Sequence, residues 1–176
     1  MTRTPATSDP LILTLEMDAQ TFAHFDGLRR RHFPAVLNHI PAHVTLFHHL
    51  PGLDEAGITE TVAALARTQA PPEVAVTGLR FLGRGVAYGL DAPGLSAFRG
   101  RLAHEFASVL TAQDAQGWRP HVTIQNKVTA GVARALLAER EAAFAPFTFT
   151  AQGLVLWRYL GGPWERRAAF AFGENR

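Results

Sequence analysis

At 176 residues the chain is long enough to bury a substantial core as one domain, and its 47% hydrophobic and 18% charged content exclude a disordered protein. The absence of cysteine excludes disulfides, thiolate metal ligands and a cysteine nucleophile. A formal net charge of +2 is too small to argue by itself for a nucleic-acid partner, and the preference for arginine over lysine, Lys127 apart, fits an Ala-, Gly- and Arg-rich composition.

Taken in order, residues 1–10 (MTRTPATSDP) read as a loose polar tail without the apolar centre of a signal peptide. That leaves 11–176 as one bilobal domain. No apolar run approaches the ~20 residues that span a bilayer, so a cytoplasmic monomer with no membrane association is expected. Leu11 to Met17 is a strand candidate, and Asp18 can cap a helix over Ala19 to His32 with Phe22, Phe25 and Leu28 at helical spacing. A strand precedes the Pro51-Gly52 turn, and Asp54 can cap a second helix through Ile58, Val62 and Leu65. Val74–Leu82 and Val86–Leu90 form a hairpin around Gly83-Arg84-Gly85. Pro93-Gly94 opens a long helix with an apolar stripe from Leu95 to Leu110. Another strand follows Pro120, a helix covers Ala130 to Ala142, and two closing strands lie at Phe147–Tyr159 and Glu165–Phe172. This order predicts an α+β fold: two pseudo-symmetric lobes of mostly antiparallel sheet, with helices on the outer faces.

One stretch occurs twice. His43-Val44-Thr45-Leu46-Phe47 returns as His121-Val122-Thr123-Ile124-Gln125, about half the chain later. In a strand, residues i and i+2 share a face. Apolar Val44, Leu46, Val122 and Ile124 would then face a core, while His43, Thr45, His121 and Thr123 face a cleft where the lobes meet. An imidazole with an ordinary pKa near ~6.5 can serve as acid or base at neutral pH. A hydroxyl can donate to a charged phosphate oxygen.

Two His-x-Thr strands with these neighbours, Ile40-Pro-Ala-His-Val-Thr-Leu-Phe-His-His-Leu-Pro51 and Trp118-Arg-Pro-His-Val-Thr-Ile-Gln-Asn126, resemble the 2H phosphoesterase superfamily, in particular its bacterial 2'-5' RNA ligase-like branch. The resemblance spans residues 11 to 172. It implies a metal-independent cyclic phosphodiesterase or 2'-5' RNA ligase that needs no cofactor. Its substrate would be an RNA end, a short oligonucleotide or a small cyclic nucleotide, and His43, Thr45, His121 and Thr123 would be the catalytic four. His121 is expected as base and His43 as acid, with the roles exchanged for ligation. Many relatives carry an arginine after the second motif, where this chain has Gln125-Asn126-Lys127.

Phe47, Gln125 and Lys127 continue the catalytic face if the strands run straight, so Phe47 could stack on a base and Lys127 hold a phosphate. Arg158, Tyr159 and Trp164 are candidates for the cleft rim. Arg29-Arg30-Arg31 reads as a solvated helix end. By strand alternation His48 points away from His43 and His49 towards it. A metal site among His39, His43, His48 and His49 lacks a carboxylate at ligand spacing. The alternative to an enzyme is a non-catalytic RNA- or nucleotide-binding module on the same fold.

Overall fold

The computed structural model describes residues 8–173; most of the tail expected at 1–10 lies outside them. Within the described part, Pro10 is tied down, its carbonyl accepting from Tyr159 N at 2.9 Å.

Strand β1 (Leu11–Glu16) leads through Asp18 into helix α1 (Ala19–His32). Asp18 caps that helix as expected, accepting from Thr21 N at 2.9 Å and from Thr21 Oγ1 at 2.7 Å. There follow β2 (Thr45–Leu50), α2 (Glu55–Ala66), the hairpin β3 (Glu73–Phe81) and β4 (Val86–Asp91), and α3 (Pro93–Glu105). A short helix α4 (Ala112–Ala115), β5 (His121–Gln125), α5 (Ala130–Ala142), β6 (Phe147–Thr150), β7 (Gly153–Tyr159) and β8 (Trp164–Ala171) complete the order. The strands form two four-stranded sheets, ordered β2-β1-β7-β8 and β5-β4-β3-β6, with every neighbouring pair antiparallel. One apolar core joins them, with Leu11, Leu13, Phe25, Leu46, Phe98, Ile124 and Leu154 fully buried. The α+β expectation holds, and each histidine strand occupies an edge of its own sheet.

Three details differ from the sequence reading. The expected strand Phe147–Tyr159 is two strands, because Ala151 and Gln152 carry the chain from one sheet to the other, their amides bonding to Pro72 O and Glu16 O at 2.9 Å. Gly153 makes the entry possible, since a Cβ there would lie 2.2 Å from Phe170 O. The helix expected to reach Leu110 stops at Glu105, and α4 stands in the connection. Asp54 makes no side-chain cap for α2.

Candidate active site

His43 sits at the end of a loop that α1 holds from beneath. The buried Asp26 carboxylate accepts from Ala42 N at 3.0 Å, and the Arg29 guanidinium donates to Asn38 Oδ1 at 2.8 Å and Ile40 O at 3.1 Å. Arg29 also donates to Thr123 O at 3.0 Å. One side chain therefore ties the approach to the first histidine to the strand bearing the second. Its expected place at a solvated helix end is corrected: Arg29 is buried, stacks on Phe33 and is spent on oxygen acceptors from both halves. Burial lowers its pKa to about 10. On the opposite side of the junction, Trp118 Nε1 donates to Thr45 O at 2.9 Å.

The two histidines are held alike. His43 Nδ1 lies 2.9 Å from Pro41 O and His121 Nδ1 lies 2.9 Å from Arg119 O, the carbonyl two residues earlier in each case. A carbonyl can only accept, so each Nδ1 carries the hydrogen and each Nε2 is the atom left for chemistry. Both rings are half-buried. Burial is the main cause that pushes His43 down to about 4, opposed by the Pro41 carbonyl and reinforced by Arg29, His121 and His48. His121 is also lowered, by burial first, against the Arg119 carbonyl and with Arg80 and His48. Each ring thus senses a shared electrostatic site, in which His43 feels His121 and both feel His48.

After each motif the strand bulges. Thr14 pairs with Thr45 but Leu13 with Phe47, and Ala87 pairs with Thr123 but Val86 with Gln125. In both strands one extra residue, Leu46 or Ile124, enters opposite a single partner step. The alternation resets there, so Leu46 and Phe47, like Ile124 and Gln125, are consecutive buried residues. This corrects two expected substrate contacts. Phe47 is a core residue beneath the Arg99 guanidinium and edge-on to Phe106, and Gln125 is 4% exposed with no hydrogen-bond partner for Oε1.

Beside His43 opens a cavity of about 820 Å³ whose lining includes Thr14, Met17, Val155, Trp157, Trp164 and Arg166. Trp164 packs on His43 at 4.8 Å between ring centroids, and Trp157 donates from Nε1 to Thr14 Oγ1 at 2.8 Å. A hollow of about 400 Å³ also touches Trp164 and is lined by Ile12, His48, His49 and Tyr159.

The model of the 2'-5' RNA ligase superfamily matches residues 17–163. The chain belongs to that superfamily. No curated protein sequence matches it. Among solved structures it is similar to TT0787 of Thermus thermophilus, with a TM-score of 0.63 and 17% identity over 95% of this chain and 100% of that one. It is also similar to Escherichia coli LigT complexed with phosphate, with a TM-score of 0.52 and 18% identity over 94% and 98% of the two chains. These likenesses support the same two-sheet fold.

On this superfamily fold the remaining expected contacts divide. Tyr159 stays at the rim, exposed and lining the smaller hollow. Arg158 does not: its neighbour in register is Leu11, whose side faces the core, and it pairs with Glu55 at the start of α2. Lys127 is exposed beyond the end of β5, in the left-handed conformation at φ 62°, so it does not extend the strand. Sequence reasoning missed Trp157, the alternating neighbour of Arg158, and strand alternation placed His48 and His49 on opposite faces, whereas both line the smaller hollow opposite Ile12. Among the described residues no group of three or more His, Asp or Glu side chains is placed to hold a metal ion, and no helix is long and apolar enough to cross a membrane.

Proposed function

We propose that the chain is a two-histidine cyclic phosphodiesterase of the 2'-5' RNA ligase-like type, acting on 2',3'-cyclic phosphate RNA ends or small cyclic nucleotides. The observation that supports this best is the matched restraint of His43 and His121, each with Nδ1 on the carbonyl two residues back and Nε2 left free. A pure binding module has no need of two titratable rings set in the same way.

In hydrolysis, one Nε2 takes a proton from water as the water oxygen bonds to phosphorus. The phosphorus–oxygen bond to one ribose oxygen breaks, and the other Nε2 gives that oxygen its proton. The Thr45 and Thr123 hydroxyls donate to the non-bridging oxygens, where negative charge builds. Burial lowers both rings, His43 to about 4. His43, the stronger acid when protonated, is therefore suited to protonate the leaving oxygen and His121 to receive the proton from water, the order expected from sequence. Ligation runs the same transfers backwards. The apolar cavity beside Trp157 and Trp164 is suited to a nucleobase.

The test is turnover of a panel of nucleoside 2',3'-cyclic phosphates and cyclic-phosphate-ended oligoribonucleotides in EDTA, with the His43→Ala/His121→Ala double variant alongside. Turnover by the native protein alone is expected. Binding of these compounds without turnover would establish the binding module instead.

A further inference from the structure

Two rows of cross-strand neighbours run inward from the second motif across its sheet. Gly89 pairs with both His121 and Gly78, and Ala87 pairs with both Thr123 and Arg80. Directly paired residues share a face, so His121-Gly89-Gly78 and Thr123-Ala87-Arg80 lie side by side across β5, β4 and β3. The intervening Val122, Tyr88 and Leu79 take the opposite face, where all three pack in the core. Arg80 therefore stands on the same face as His121 and Thr123. Within its row, the only side chain between Arg80 and the motif is the Ala87 methyl. The neighbouring row is bare beyond His121: a Cβ at Gly78 would meet no atom within 4 Å, and one at Gly89 only Gly78 O at 3.8 Å. Neither glycine has a positive φ, so backbone conformation does not demand glycine at either place.

We propose that Arg80 is a substrate-binding residue whose guanidinium donates to a non-bridging oxygen of the reacting phosphate beside His121 and Thr123, across the open strip left by Gly78 and Gly89. The inference rests on the phosphodiesterase reading above and names a further contact within that site. Arg80 is half-buried, and its guanidinium has no hydrogen-bond or ion-pair partner among the described residues. Two strand spacings put the Cα atoms of Arg80 and Thr123 about 10 Å apart. An extended arginine and a phosphate bonded to the Thr123 hydroxyl can close that gap between them. After burial and the Arg119 carbonyl, the Arg80 charge is the next influence on His121, in keeping with this placement. The other cations nearby are spent or placed elsewhere. Arg29 is bonded to Asn38, Ile40 and Thr123, Arg119 lies before β5 begins, and Lys127 lies past its end. Arg166 belongs to the other sheet, where it lines the cavity beside His43.

The experiment compares native protein with Arg80→Met, Arg80→Lys and Gly89→Val. Steady-state kinetics on a nucleoside 2',3'-cyclic phosphate and on a dinucleotide with a cyclic phosphate end would be joined by calorimetric titration with inorganic phosphate and by thermal unfolding. For Arg80→Met the dissociation constant of phosphate should rise, and kcat/KM on both substrates fall, by about tenfold to a hundredfold. Arg80→Lys should recover part of the loss, since it keeps the charge without the planar fork. Gly89→Val suits a strand and keeps Arg80, yet should weaken phosphate binding by filling the strip. Unchanged kcat/KM and phosphate affinity in Arg80→Met, beside a native protein that turns substrate over, would overturn the role of Arg80 alone. A loss confined to the dinucleotide would overturn it too, by moving Arg80 to the neighbouring phosphodiester. Should Arg80→Met lose cooperative unfolding, the other two variants decide, and native phosphate affinity in both would overturn the proposal. Failure of the native protein to bind or turn over any of these compounds would overturn the enzyme reading and this inference together.

Discussion

The free Nε2 atoms of His43 and His121 and the hydroxyls of Thr45 and Thr123 define what single substitutions should do. His43→Ala and His121→Ala are each expected to abolish most turnover of a 2',3'-cyclic phosphate while leaving the thermal transition cooperative; high residual activity in either would break the two-histidine scheme. Thr45→Val keeps the shape and removes the donor, so kcat should fall by roughly 10²-fold. A near-native rate would give Thr45 a purely structural part. The doubled His-x-Thr was legible in the sequence because it is a local pattern. Phe47 and Gln125 were misread for a reason just as local: alternation was extended past Thr45 and Thr123, and nothing in Leu46 or Ile124 announces the bulge that ends it.

At the scale of elements, the site depends on side chains that satisfy two exposed strand edges. Along β2, Trp118 covers Thr45 O, Arg99 donates to Leu46 O at 2.8 Å, and Asp114 collects the amides of His48 and His49. Along β5, Arg29 reaches Thr123 O. Replacing Arg29 by Met would leave buried acceptors without a donor on both sides of the junction. It should lower unfolding stability by about 3 kcal/mol, measured by denaturant titration, and lower kcat as the two histidines lose their common anchor. Native stability in that variant would mean that the Arg29 bonds do not hold the two halves together. Helices α1 and α5 were readable to the residue because capping and apolar spacing are properties of one segment. The role of Arg29 was not, because its acceptors come from Asn38, Ile40 and Thr123, the last far away in sequence.

For the whole molecule, the lowered histidine pKa values make activity and stability depend on pH in set directions. In the free protein the base must be neutral and the acid protonated. The kcat/KM profile should therefore be a bell with one limb near 4, set by His43, and the other below the ordinary 6.5, set by His121. An optimum at pH 7 or above would reverse this electrostatic reading. Stability follows the linkage rule with the same sign. The unfolded chain binds a proton at His43 near 6.5, but the folded chain binds it only near 4. Folding is thus favoured above 6.5 and loses stability as the pH falls from 6.5 towards 4. Asp114, lowered by the His48 and His49 hydrogen bonds despite burial, loses its contribution in a separate window below its ordinary 3.8. Thermal unfolding from pH 7 to 4 should show a slope that flattens in His43→Ala; an equal slope in that variant would place the linkage on other groups.

The crossing at Ala151-Gln152 also orders events while the protein is being made. The sheet that carries the first histidine takes β1 and β2 from one end of the chain and β7 and β8 from the other, whereas the second histidine's sheet is built wholly from β3 to β6. During synthesis the later-made motif can find all its strand partners first. The earlier one must wait for Gly153 to Tyr159 to leave the ribosome before β1 gains its inner neighbour. Until then β1 has an unpaired edge, and a chain truncated between β5 and β7 would contain both His-x-Thr motifs yet lack the complete sheet that aims the first.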